Sequence, residues 1–126
     1  MFEEADLIHR YSRAEALRDG VLIDVSATAR EAGICWPVAL TSGAWERCVT
    51  VPPGVECQDE KGRLWDVLWL LVCAIRRGRD GAEVRFGVHV RNDNRERTPP
   101  LVRLKAQCGP GDYGEPVLTV MMPDED

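Results

Sequence analysis

The sequence predicts an α+β fold of two layers, a three-stranded antiparallel meander packed on one central helix, and three observations carry that reading. Leu64–Ile75 is the most apolar stretch of the chain and repeats with helical period. Past Gly78 the period changes to strict alternation, the mark of half-buried strands. The alternating runs are separated by clusters of Gly, Pro, Asn and Asp, the residues that turns require.

The central helix is expected over about 61–77. Leu64, Val67, Leu68, Leu71, Val72 and Ile75 share one broad face, Trp65 and Trp69 extend it sideways, and only Asp66, Leu70, Cys73 and Arg77 are left for water. The run is shorter than the ~18 residues that span a bilayer, and arginines follow it at once, so it reads as a core helix.

Shorter elements precede it. Ser12 and Glu15 have capping-box spacing and Gly20 suits a left-handed stop, which predicts a helix between them. Val21–Val25 is β-branched and extended, and Ser26 is placed to cap a second short helix ending at Gly33. Thr41 caps a third helix through Val49, closed by Pro52, Pro53 and Gly54.

The three strands are expected at about 82–91, 101–108 and 116–122. In the first, Val84, Phe86, Val88 and Val90 point inward and Glu83, Arg85, His89 and Arg91 outward. In the second, Val102, Leu104, Ala106 and Cys108 point inward and Arg103, Lys105 and Gln107 outward. Short connections between successive strands make an antiparallel meander. One globular domain over 1–126 is expected, with ends 1–5 and 123–126 disordered.

Composition narrows the function classes. Hydrophobic residues are 44% and charged residues 29%, ordinary for a folded protein. Met1–Asp6 is acidic where an export signal would be basic and then apolar, so a cytoplasmic location is expected. Five cysteines at wide spacings, with no Cys-x-x-Cys, predict buried or partly buried free thiols and no disulfide framework or metal site. No nucleotide loop, zinc-protease or hydrolase signature is present, and no cofactor is expected. His9 and His89 have no metal-type partner at i+2 or i+4 and read as surface or satisfied histidines.

Net charge is −5, yet Arg76–Lys105 holds nine basic residues against four acidic ones. Pairing of the first two strands would bring Arg85, His89, Arg91, Arg103 and Lys105 together as a basic strip, the candidate binding surface for an acidic protein or other macromolecule. Exposed strand faces also carry arginine for solubility alone. The strip lacks the aromatics on which bases stack, so nucleic acid has no positive support.

The competing reading is a small enzyme acting on a phosphate-bearing or nucleotide-like substrate, with Asp66, His89 and the loop from Gly109 through Gly111 and Asp112 to Gly114 as its site. Against it, Pro110 offers no amide and Asp112 is itself negative, which suits a plain turn better than an anion cradle. Asp59, Glu60 and Asp66 also fit the positive end of the helix dipole without any catalytic duty.

Tyr11–Val25, Pro37–Thr41, Gly62–Trp69 and Cys108–Met121 resemble an uncharacterised family of small bacterial proteins often found on phages and plasmids. The resemblance implies an accessory gene of mobile elements, whose product engages a host or element-encoded macromolecule, and it carries no catalytic or binding residues with it.

Overall fold

The computed structural model describes residues 11–78 and 81–125. The expectations for residues 1–5, His9 and Asp126 lie outside the described residues. Helix α1 (Arg13–Arg18) has the expected capping box: Ser12 accepts from the Glu15 amide while Glu15 reaches back, and Gly20 follows at φ +78°. Strand β1 is Leu22–Asp24.

Helix α2 (Ser26–Ala32) corrects one expectation, because Val25 stands at its N-cap and Ser26 is already helical. Asp24 accepts from the Ser26 amide at 3.1 Å, and the Ser26 hydroxyl accepts from the Val38 amide at 3.0 Å. The serine thus ties its helix to the next strand, β2 (Val38–Thr41). Thr41 caps α3 (Ser42–Cys48), accepting from the Ala44 amide as expected.

Asp59 caps the long helix α4 (Glu60–Arg77) by accepting from the Gly62 amide. Three strands follow: β3 (Glu83–His89), β4 (Leu101–Pro110) and β5 (Pro116–Met121).

Among the described residues the sheet has five strands in the order β1-β2-β5-β4-β3, where three were expected. β3, β4 and β5 pair antiparallel in succession, and β1 pairs antiparallel with β2. The join is parallel: Val38 faces Leu118 and Leu40 faces Val120 across β2 and β5. Val38, Ala39 and Leu40 are all buried, so this strand has no polar side to alternate with.

Helix α4 packs on β3 and α2, with Val67, Leu68 and Leu71 sealed from solvent. Two expectations for its surface are corrected. Ile75 is 40% exposed, because the last turn lies at the rim of a cleft shared with Trp36. Trp65 and Trp69 are also exposed and stack on each other, ring centroids 6.2 Å apart, while Leu70 and Cys73 are half-buried.

The sheet side away from the core is not uniformly open. Arg13 of α1 donates to the Thr119 hydroxyl at 2.8 Å and to the Leu118 carbonyl at 3.0 Å. Thr119 alternates with the core residues Leu118 and Val120, so α1 reaches the sheet from the opposite side. On that side Ala39, Lys105, Val117 and Met121 are buried. Among the described residues no helix is long and apolar enough to cross a membrane.

Candidate interaction surface

The pairing of β3 with β4 sets Arg85 opposite Lys105, Gly87 opposite Arg103 and His89 opposite Leu101. Period-two geometry puts all of these side chains on the side away from the core. Arg85, His89 and Arg103 are exposed there as neighbours. Lys105 shares their side but is only 4% exposed, so its expected place on an open strip is corrected. It lies toward β5, where the sheet is covered on both sides.

Arg91 departs from the strip for another reason. Lying past the end of β3, it donates to the carbonyls of Arg95 and Arg97, the latter at 2.6 Å, and so folds the connection to β4 around itself. In that connection Arg97 pairs with Asp93 at 3.0 Å. The Arg95 amide, and then Arg97, hold the Asp93 carboxyl below its usual range. Hydrogen bonds from Arg85 and then Gln107 likewise lower that of Glu83, whose carboxylate lies 2.9 Å from Arg85. His89 Nδ1 lies 2.8 Å from the Pro99 carbonyl oxygen.

The residues of the enzyme reading are brought together only in part. Asp66 and His89 both line a cavity of about 20 Å³ beside Cys48 and Arg63, too small for a substrate. Gly109 lies near the far end of β4: Leu101 faces His89, and Pro110 is nine residues on, roughly 30 Å at ~3.3 Å per residue. The loop beyond it has an internal task. Asp112 accepts from the Arg13 and Ala14 amides at 2.8 and 3.0 Å, so it caps the start of α1 from 98 residues away. Gly111 donates to the Glu115 carbonyl, and Gly114 has φ +83°, which only glycine adopts freely.

A profile of a family of unknown function, DUF6573, matches residues 1–126. The chain belongs to DUF6573. No curated protein and no solved structure gives a detectable match.

One residue of this DUF6573 chain escaped the sequence reading. Arg63, on the first turn of α4, is 6% exposed, and its guanidinium donates to Gln58 Oε1 at 3.1 Å, the Thr50 carbonyl at 2.9 Å, Asn92 Oδ1 at 3.0 Å and the Arg91 carbonyl. Burial lowers its pKa, and these oxygens satisfy its protons without a carboxylate. It joins the end of α3, the approach to α4 and the exit from β3. The only sequence signal was an arginine placed just before the apolar face.

The DUF6573 cysteines are all unbonded. Cys48 is buried, Cys73 and Cys108 are half-buried, and Cys35 and Cys57 are exposed, which corrects an expectation of uniformly sheltered thiols. Burial pushes the Cys48 thiol up to about 11, so it stays protonated near neutrality and is no nucleophile. Alkylation of native protein at pH 7.5, read by peptide mass spectrometry, should label Cys35 and Cys57 first and Cys48 only in denaturant. Early labelling of Cys48 would contradict its place in the core.

Proposed function

We propose that this protein is a non-enzymatic interaction module that binds an acidic protein or other acidic macromolecule through the open side of β3 and β4. The observation that carries the proposal is the pair of exposed guanidinium groups of Arg85 and Arg103 on neighbouring strands, beside His89. Their charge is fixed, the strands hold them rigidly, and the overall charge of −5 makes this side distinct from the rest. The resemblance of the four sequence blocks extends the proposal to an accessory protein of bacterial phages or plasmids, with a host or element-encoded partner. Five unbonded thiols, two of them exposed, favour the reducing cytoplasm as its compartment.

The test is quantitative affinity capture from the native cell with wild-type protein and an Arg85→Glu, Arg103→Glu variant, followed by mass spectrometry. At least one partner should be lost by the variant and by wild type in high salt, because exposed charges act through screened attraction. The variant's melting temperature should stay near wild type, since such surface changes shift stability by about 0.5 kcal/mol or less. An unchanged set of captured partners would remove this surface from consideration.

A further inference from the structure

The outer edge of β3 carries backbone groups that β4 does not engage. Among the described residues β3 ends the sheet order and has β4 on one side only. The Val90 amide donates to the Pro100 carbonyl and the Cys108 amide to the Ala82 carbonyl, so even-numbered residues face β4. By the same alternation the N–H and C=O groups of Glu83, Arg85, Gly87 and His89 point away from the sheet. The open stretch has a defined end, because the next outward carbonyl, that of Arg91, is already taken by Arg63.

The geometry points to a homodimer in which two β3 strands pair antiparallel about a two-fold axis at Phe86. This register sets Glu83 opposite His89 of the second copy and Arg85 opposite its Gly87, and every outward N–H and C=O from 83 to 89 finds a partner. Moving the axis by one residue toward His89 sets the basic Arg85 against His89, and Glu83 against Arg91, whose carbonyl is taken by Arg63 and whose guanidinium is held by the carbonyls of Arg95 and Arg97, so that end of the pairing is weakened. In the favoured register the Glu83 carboxylate faces the His89 ring at both ends. Opposite Arg85, the Leu101 side chain lies over Gly87 and gives the long stem an apolar surface.

The core side agrees. Val84 and Phe86 point toward the core yet stay half-buried, because the sheet stops at this strand. Pairing places the two Phe86 rings side by side on the axis and each Val84 beside Val88 of the other copy, covering apolar surface that one copy leaves wet. The result is a continuous sheet with both basic sides on the same surface. An exposed edge that pairs freely invites aggregation, and side chains matched for one register restrict it to a closed pair.

Sedimentation equilibrium and amide hydrogen exchange on the purified full chain test this without any partner, so the outcome is separate from that of the capture experiment. The mass should be twice 14.1 kDa at about 100 µM. The Arg85 and Gly87 amides should exchange slowly in the dimer and at least tenfold faster on dilution to monomer. His89→Glu, which sets glutamate against Glu83, should yield a folded monomer, and adding Glu83→Lys should restore the dimer by placing an ammonium opposite the new carboxylate. A monomer at every concentration, a dimer whose Arg85 and Gly87 amides exchange freely, or no restoration by the double variant would each overturn the proposal.

Discussion

Leu68→Asp should abolish cooperative unfolding. Leu68 is sealed at the centre of α4, in one apolar cluster with Val67, Leu71 and the inward residues of the sheet. An unpaired charge in such a site costs several kcal/mol or more, of the same order as the roughly 5–15 kcal/mol that hold a whole domain folded. Circular dichroism with temperature should show a gradual slope where wild type shows a sigmoid. A sharp transition near the wild-type midpoint would mean that α4 is not the centre of the core.

Arg63→Ala should cost about 3 kcal/mol and lower the melting temperature by roughly 10 °C. The carbonyls of Thr50 and Arg91 both lose a charged donor, in a place where the Gln58 and Asn92 side chains lose theirs as well. Arg63→Lys should recover only part of the loss, since one ammonium cannot reach acceptors spread around a planar fork. The readout is the urea midpoint at unchanged slope. A shift below about 1 kcal/mol for the alanine variant would show that these elements hold together without the guanidinium.

The elements with local punctuation were legible in the sequence. Ser12 with Glu15, Thr41 before α3 and Gly33 after α2 mark helix ends through the short-range hydrogen bonds of their own side chains or backbone. β2 was not legible as part of the sheet, because Val38, Ala39 and Leu40 are buried on both sides and show no alternation. Its partner β5 is some 80 residues away, beyond any local pattern.

The site divides along the same line. Alternation assigned Arg85, Arg103 and Lys105 to one side of the sheet, but it carries no information about what covers that side, so the burial of Lys105 stayed hidden. Arg63 was invisible because two of its partners are backbone carbonyls, which every residue possesses. Trp65 and Trp69 were misread for the opposite reason: hydrophobicity places a residue near the core, but a helix only partly covered by its neighbours leaves large rings at the border.

The strand order has a consequence for synthesis on the ribosome. β5 emerges after the other four described strands, yet it occupies the middle of the sheet, parallel to β2 on one side and antiparallel to β4 on the other. Until Pro116–Met121 leaves the exit tunnel, the segment ending in β2 and α3 and the hairpin of β3 and β4 are two half-sheets with unsatisfied edges and no strand to bridge them. Closing that gap joins residues far apart in the chain, a slow step because the loop entropy is lost before the contacts form. A message cut short before the codon for Pro116 therefore yields no smaller version of the domain, only one chain with two unjoined half-sheets for the proteolytic machinery to remove.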